Sequence, residues 1–508
     1  MITLKLVLAT ASALVLATGL AHADSNFANV EQNGSGNDGM VTQGPGDFNA
    51  MGTGDHLAPG AALQKGADND LTITQSGSNN EVGTTGDGFD QIGNRNKATI
   101  AQSSDFNSVG EVQQVDETKF GSADRNTFDV VQGGAGRNKI GSVVQTRTNT
   151  PLFNSSPGNS ATVQQNSSSN SLLVLRQEGR GNEVRLTQTG GNGNRVGTIS
   201  QKGVLGIAGV SNRITLTFNG ANNGTVGFSP IRLSGTAAFG QLVQGNVTQT
   251  GIGNTIDDFV VTGDRNAFGF NQSGLVGNGI DGWVNGSDNQ FGVYQLGTSG
   301  TASIEISGER NEIYLGQDGS FNNAFAKARG DDNGVLITQD DNSNIGSVDV
   351  TGNLNVVRLN QRGGQVFGND AAVNIVGNGN FADIAQTKTG IGRFNTLTLN
   401  IFGNNNNNNP SLLNFSGDAA TAAFGTSLKP GSIEQRGAGN SISMNVGSFA
   451  GPSAANDNVF AFLQNGGNNT IMGAVLGNSN QAVVVQNGAG NFTSFSQNGN
   501  FNIIGVNQ

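Results

Sequence analysis

Three pairs of neighbouring aspartates are the residues best suited to catalysis. They are Asp257-Asp258, Asp331-Asp332 and Asp340-Asp341. On a β-helix, two carboxylates could cleave glycosides or pectin by acting as acid and as nucleophile or base. Paired carboxylates alone are a weak indication of an active site, because turns and sheet edges also carry solvated charges that limit lateral association. We therefore interpret the pairs as structural and predict that the protein is not an enzyme.

The composition leaves little room for cysteine or histidine chemistry. The sequence contains no cysteine, so it has neither disulfides nor a thiolate nucleophile. Of its two histidines, His22 lies in a predicted leader, which leaves His56 alone. This nearly rules out His-based triads and multi-histidine zinc sites. We predict no catalytic residue, no metal site and no cofactor.

Two glycine-rich segments approach the calcium-binding nonapeptide GGxGxD. They are Gly133-Gly-Ala-Gly-Arg-Asn138 and Gly190-Gly-Asn-Gly-Asn194. Both have Asn where the motif has a carboxylate, and neither recurs every nine residues. Because Ca²⁺ needs several oxygen ligands, including charged ones, the segments disfavour a calcium site. Whether a weak calcium site exists stays open.

Three aromatic residues offer an alternative, binding role. Trp283, Tyr294 and Tyr314 could together form an aromatic patch that holds a sugar or a surface. Such a patch is typical of an adhesin and is compatible with a fibre.

Amides at fixed spacing are the strongest pattern. Gln486, Gln497 and Gln508 are eleven residues apart, an Asn precedes each by six residues, and a Gly precedes each Asn by three. With 69 Asn and 32 Gln, chance would place an Asn six residues before a Gln about four times. The sequence does so eighteen times, including Asn107/Gln113. The repeat unit is Gly-x-x-Asn-x-h-x-h-x-Gln, with h usually apolar.

This unit predicts a turn followed by a short strand. Side chains two residues apart share one face of a strand, so the Asn, both apolar residues and the Gln point the same way. The Gly supplies the tight or left-handed backbone that reverses the chain. Gln295, Gln317, Gln339 and Gln361 follow at intervals of 22 residues, or two units. We predict an all-β fold, a β-solenoid of about 22-residue coils with two short strands per coil.

Stacked coils would place identical amides roughly 4.8 Å apart, where each donates a hydrogen bond to its copy on the next rung. We expect the alternate residues, such as Glu312 and Tyr314, to point outward and be largely wet. The predicted structural ladder comprises Asn266, Gln272, Asn289, Gln295, Asn311, Gln317, Asn333, Gln339, Asn355, Gln361, Asn480, Gln486, Asn491, Gln497, Asn502 and Gln508.

The beginning of the chain predicts export. Lys5, an apolar core over residues 6–20 and Ala21-His22-Ala23 are typical of a secretory signal peptide, residues 1–23. Removing it leaves 25 basic and 37 acidic residues, a net charge of −12, which disfavours nucleic acid as a partner. We predict a single solenoid over residues 24–508, interrupted by loop insertions near 44–66, 146–158, 202–211, 226–247, 403–431 and 447–456.

Two units carry a resemblance to a known family. Gln91-x-Gly93-x2-Asn96-x-Ala98-x3-Gln102 and Asn480-x-Ala482-x3-Gln486 resemble the curlin repeat of the major and nucleator subunits of curli, the bacterial extracellular amyloid fibre. The resemblance implies a β-solenoid subunit that leaves the cell through a dedicated outer-membrane pore and self-associates into biofilm matrix. It also implies nucleator and chaperone partners. Family subunits are much shorter, so bulk subunit, nucleator and decoration all stay open.

We therefore expect a structural component of curli-like fibres, secreted to the cell surface, that serves biofilm matrix and adhesion to host or abiotic surfaces. The repeat runs from Asn26 to Gln508 without recognisable caps, from which we expect end-to-end polymerisation. The alternative is a monomeric secreted β-solenoid adhesin whose loops bind a surface or a glycan.

Overall fold

The computed structural model describes residues 26–51, 62–85, 87–116, 125–147, 158–203, 212–363, 368–408, 414–448 and 455–508. The chain divides into two compact units. Unit 1 comprises Met1–Gly227 and Val243–Gly277, and unit 2 comprises Phe228–Leu242 and Asn278–Gln508. The predicted signal peptide and His56 lie outside the described residues.

Unit 1 consists of short strands in two parallel sheets, sheet A and sheet B. Sheet A contains β1 (Phe27–Ala28), β2 (Val30–Ser35), β4 (Ala50–Met51), β5 (Ala62–Ala67), β7 (Glu81–Val82), β8 (Phe89–Ile92), β10 (Ser108–Asp116), β12 (Lys139–Arg147), β14 (Ser171–Glu178), β16 (Arg195–Lys202), β18 (Val247–Gly251) and β20 (Ala267–Gly274). Sheet B contains β3 (Asp38–Gln43), β6 (Asp70–Gln75), β9 (Lys97–Gln102), β11 (Thr127–Gln132), β13 (Ser160–Gln165), β15 (Glu183–Gly190), β17 (Arg213–Gly220) and β19 (Thr255–Thr262).

Unit 2 repeats this arrangement. Its sheet A contains β22 (Gln290–Leu296), β24 (Glu312–Asp318), β26 (Gly334–Asp340), β28 (Val356–Arg362), β30 (Phe381–Thr387), β32 (Ser432–Arg436), β34 (Val459–Asn465), β36 (Gln481–Asn487) and β38 (Ile503–Asn507). Its sheet B contains β21 (Gly279–Asn285), β23 (Thr301–Ser307), β25 (Asn323–Arg329), β27 (Ile345–Thr351), β29 (Asp370–Val376), β31 (Thr396–Phe402), β33 (Ser441–Val446), β35 (Thr470–Leu476) and β37 (Phe492–Asn498). A 3-10 helix, Ala238–Gln241, and one α-helix, α1 (Gly417–Ala423), complete the described secondary structure.

Strands pair in parallel with the strand one coil away in the same sheet. β24 pairs with β22 and β26, which places Gln317 beside Gln295 and Gln339 at intervals of 22 residues. The inward side chains, such as Ile313 and Leu315, are completely buried between the two sheets. One coil contributes only a few such residues, so stacked neighbours complete the core. The predicted all-β solenoid with two short strands per coil is confirmed.

Four consecutive strands of sheet A in unit 1 depart from the predicted spacing. β10, β12, β14 and β16 each contain one additional residue, and the pairing of β10 with β12 skips Gly110 and Gly141. A bulge shifts every later side chain to the other face. The buried Gln therefore lies seven residues after its Asn, at Gln114, and the predicted pair Asn107/Gln113 is wrong.

The insertions are narrower than predicted in some places. Within 44–66, Ala50–Met51 and Ala62–Ala67 are strands, and residues 52–61 lie outside the described part. Segment 226–247 contains the 3-10 helix, and 403–431 contains α1. Of 146–158, 202–211 and 447–456, the structure leaves out 148–157, 204–211 and 449–454. That residues 24–508 form a single solenoid stays a prediction.

Within the part of the chain that the structure describes, no helix is both long and apolar enough to span a membrane.

Candidate functional site

The inward Gln residues of sheet A form continuous hydrogen-bonded ladders. In each, the Nε2 of one Gln donates to the Oε1 of the next Gln along the stack. In unit 1 the N···O distances are 2.7–2.9 Å, along Gln32, Gln64, Gln91, Gln114, Gln145, Gln177, Gln201, Gln249 and Gln272. In unit 2 they are 2.8–3.2 Å, along Gln295, Gln317, Gln339, Gln361, Gln386, Gln435, Gln464, Gln486 and Gln508.

Most ladder Gln residues also connect the two sheets. Besides its contact with Gln339, the Nε2 of Gln317 donates to the carbonyl oxygen of Thr301, the first residue of β23, at 2.8 Å. Gln361 makes the same bond to Ile345 of β27 at 2.8 Å. Both hydrogens of the buried amide are therefore satisfied.

The inward Asn residues form a second ladder that runs in the opposite direction. The backbone N–H and the Nδ2 of Asn333 both donate to Oδ1 of Asn311, each at 3.0 Å. The Nδ2 of Asn311 also donates to the carbonyl oxygen of Gly330, at 2.7 Å. From amide to amide, Gln thus donates to the Gln one rung nearer the C-terminus, whereas Asn donates to the Asn one rung nearer the N-terminus.

Most of the predicted ladder residues lie in these two rows. Asn266, Gln272, Asn289, Gln295, Asn311, Gln317, Asn333, Gln339, Asn355, Gln361, Asn480, Gln486 and Gln497 are buried. Asn491 and Asn502 are half-buried, and Gln508 is exposed. Asn502 donates to Asn480 Oδ1 at 2.9 Å.

Gln497 is placed differently from the prediction. It lies in sheet B, whereas Gln486 and Gln508 lie in sheet A, and it pairs with Val475 rather than with a Gln. Its Nε2 donates to the carbonyl oxygen of Gln481 at 2.9 Å, and its buried Oε1 has no hydrogen-bond partner in the described part of the chain. The prediction that Gln497 belongs to an amide ladder is therefore wrong, because the rung one coil earlier in sheet B has Val475 at this position.

Sheet B shows that the fold does not require a Gln at this position. In unit 1, sheet B has a Gln ladder with N···O distances of 2.8–2.9 Å, along Gln43, Gln75, Gln102, Gln132, Gln165 and Gln188. In unit 2 the equivalent residues are apolar through eight rungs: Val284, Ile306, Ala328, Val350, Ile375, Ile401, Val446 and Val475. A continuous row of Gln or a continuous row of apolar side chains can fill this inward position between the sheets.

A third ladder, which the sequence reasoning missed, follows the turns of unit 2. The backbone N–H of Glu309 donates to Asp331 Oδ1 at 2.8 Å, and that of Asp331 donates to Asn353 Oδ1 at 2.7 Å. The row continues through Asn378, Asn404, Asn456, Asn478 and Asn500. Its sequence signal is an additional Asn or Asp two residues before the inward Asn.

The outer face of sheet A is not uniformly exposed to solvent, so the prediction that Glu312 and Tyr314 are largely exposed is wrong. Glu312 is 2% exposed and Tyr314 is 3% exposed, because residues 228–242 lie over them. Burial raises the pKa of the Tyr314 hydroxyl well above its ordinary value. Trp283 is 51% exposed but lies on sheet B, so it does not form one patch with Tyr294 and Tyr314 of sheet A.

The predicted acidic pairs occupy strands and turns. Asp332 accepts two hydrogen bonds from Arg310, at 2.9 and 3.1 Å, which hold the pKa of its carboxyl below the usual range. Burial raises the pKa of Asp340, and nearby Asp318 adds to this rise. Asp257 lies 3.6 Å from Arg213.

The calcium-like segments place their asparagines in the inward row. Asn138 and Asn194 are fully buried, and the Nδ2 of Asn138 donates to Asn107 Oδ1 at 3.2 Å. Among the residues that the structure describes, no group of three or more His, Asp or Glu side chains could hold a metal ion.

Comparison with known proteins identifies the repeat. The family model for the curlin-associated repeat matches two segments of the chain. Residues 66–103 contain β6 to β9, and residues 308–340 contain β24 to β26. No curated protein matches the chain. Both matched segments contain the inward Asn and Gln rows, and over these two segments the chain is similar to the curlin-associated repeat.

Proposed function

We propose that the chain is a structural subunit of extracellular curli-like amyloid fibres, which grow by adding the coils of one copy to the strand edge of another. The fibres would serve biofilm matrix and adhesion to host or abiotic surfaces. Export by a curli-type pore, with nucleator and chaperone partners, belongs to the same proposal and is supported by the repeat family.

One observation carries this proposal: within each unit, the rungs of sheet A repeat the same inward Gln from coil to coil. Backbone pairing, the Gln row and the Asn row recur in register, each with donors on one side and acceptors on the other. A rung at an edge therefore presents the groups that a further rung needs. β38 pairs with β36, and the described residues offer no strand to its other edge.

The test is polymerisation of purified residues 24–508. At micromolar concentration we expect filaments by electron microscopy, with a diffraction spacing of about 4.7–4.8 Å along the filament axis. Preformed filaments should shorten the lag when added as seeds.

A pair of variants tests the strand edge itself. Directly after β38, the N–H of Gln508 donates to β36, at the carbonyl oxygen of Val485. Because N–H directions alternate along a strand, the N–H of Asn507 faces away from β36. Asn507→Pro should therefore slow growth several-fold, whereas Asn507→Ser should not. A folded chain that stays monomeric for days at varied salt and pH would contradict the proposal and favour the adhesin.

A further inference from the structure

Residues 228–242 form a cover on the outer face of sheet A in unit 2. Leu233, Phe239 and Leu242 are at most 8% exposed and pack with Tyr314, while Tyr294 and Leu336 lie at the margin of the cluster. The rings of Phe239 and Tyr314 meet edge to face, with centroids 5.7 Å apart. This segment, cover 1, thus buries apolar side chains of β22, β24 and β26.

Polar contacts hold cover 1 in one position. The buried carboxylate of Glu312 accepts backbone N–H groups from Ile231, from Arg232 at 3.1 Å and from Leu233 at 2.7 Å. The hydroxyl of Tyr314 donates to Gln241 Oε1 at 3.0 Å. A carboxylate with three such donors is well satisfied although buried.

A second segment covers the same face of unit 2 further along the chain. Ala419, Ala422 and Leu428 pack on residues of β34 and β36 that point outward, namely Ala461, Leu463, Val483 and Val485. Ser416 and Gln481 exchange two hydrogen bonds, of 2.7 and 2.8 Å. We call residues 414–431 cover 2.

The outward residues of sheet A match the covers. The third residue after each inward Asn is Gly292, Tyr314 or Leu336 beneath cover 1 and Ala461, Val483 or Gly505 beneath cover 2. In β28 and β30, between the covers, it is Arg358 or Asp383, and the residue of β32 that pairs with Asp383 is Ser432. At this one position the covered strands have uncharged residues, whereas β28 and β30 have charged ones, which indicates that the strands and covers suit each other.

Both covers interrupt a repeat unit at the same point. Removing residues 225–244 would join Asn223-Gly224 to Gly245-Asn246-Val247-Thr248-Gln249, and removing 408–430 would join Asn406-Asn407 to Gly431-Ser432-Ile433-Glu434-Gln435. Each product has Gln six residues after Asn. A Cβ on Gly245 would lie 3.5 Å from the Gly224 carbonyl oxygen, and one on Gly431 would lie 3.2 Å from the Asn407 Cβ, so the ends to be joined are neighbours.

We propose that the two covers are built-in blocks on lateral association. Without them, the apolar side chains that they bury, around Tyr314 and Leu336 and around Val483 and Val485, would bind a second copy of this chain, face to face. A flat apolar sheet face that is left exposed is a site of association, and an intramolecular cover has a far higher effective concentration than a second copy. The covers therefore confine contacts between copies to the other surfaces of the molecule.

The test removes cover 1. Residues 24–508 without 225–244 should keep the β-sheet circular dichroism of the parent and form concentration-dependent dimers in sedimentation velocity, run on fresh protein. Tyr314→Thr with Leu336→Thr in this deletion chain should restore the monomer. A folded, monomeric deletion chain at all concentrations would overturn the proposal.

Two further variants separate this proposal from fibre growth and from misfolding. Asn507→Pro blocks the strand edge and should leave the lateral dimers unchanged, whereas loss of the dimers would show that they form through the edge and overturn the lateral block. If the deletion chain does not fold, Phe239→Ser with Leu242→Ser loosens cover 1 without altering a repeat unit. Protease should then cut within 228–242 and dimers should appear; cutting without dimers would be contrary to the proposal.

Discussion

At the scale of single residues, an inward amide depends on its neighbours along the stack. Gln361 accepts from Gln339 at 2.8 Å and donates to Gln386 at 2.9 Å. Removing it leaves one neighbour without an acceptor and the other without a donor. Eight successive rungs of sheet B in unit 2 have an apolar residue at the equivalent position, so we expect a gap within the row, rather than the absence of Gln, to cost stability.

Gln361→Leu should therefore lower the free energy of unfolding by about 2 kcal/mol, since a buried group that loses its partner costs roughly 1–3 kcal/mol. The matched control is Asn360→Ser, at the exposed adjacent residue, which should change it by less than about 0.5 kcal/mol. Urea unfolding measures both. Equal effects would count against the ladder.

At the scale of elements, the turns decide how closely coils approach. Gly352 has a φ of +118°, and a Cβ on it would lie 2.0 Å from the carbonyl oxygen of Gly377 on the next coil. Leu354, two residues later, has a φ of +63° and is 42% exposed. The same turn thus contains a glycine that cannot be enlarged and a leucine in a conformation that suits glycine.

Substitutions two residues apart should act in opposite directions. Gly352→Ala should destabilise by more than about 2 kcal/mol, because backbone strain and a clash with backbone add. Leu354→Gly should stabilise by up to about 1 kcal/mol, through relief of the left-handed conformation. Thermal unfolding of the two variants beside the parent is the measurement, and a destabilised Leu354→Gly chain would show that the leucine makes contacts that outweigh its strain.

At the scale of the whole molecule, negative charge opposes both folding and association. Residues 24–508 have a net charge of −12, and like charges repel in the compact state and between copies. Burial raises the pKa of the carboxyls of Asp90, Asp340, Asp370 and Asp383 in the folded protein. At Asp383, Glu434 adds to the rise and Arg358 opposes it.

Stability should consequently increase as the pH falls from about 7 towards about 4, the ordinary range of aspartate pKa values. These carboxyls bind protons more readily in the folded than in the unfolded state. At neutral pH, keeping them ionised destabilises the folded protein, and this destabilisation disappears as the pH falls through their folded-state pKa values. Urea midpoints at several pH values measure this. Asp383→Asn should flatten the dependence, whereas Asp281→Asn, at an exposed position, should flatten it less; a midpoint that falls between pH 7 and 5 would contradict the argument.

The sequence by itself determined the repeating strand unit and which of its side chains face inward. Period-two alternation places Asn, two apolar residues and Gln on one strand face, and recurrence every 22 residues places like residues side by side. Both are local or strictly repeated properties, so the all-β solenoid and its amide rows follow from them.

Tertiary structure alone decided the features that break the repeat. The bulge that selects Gln114 is stabilised by pairing with a strand about thirty residues away, where Gly141 makes the same bulge. Cover 1 buries Glu312 through contacts with Leu233, 79 residues earlier in the chain. No periodicity encodes such contacts, because they depend on where a non-repetitive segment packs against the regular surface of a sheet.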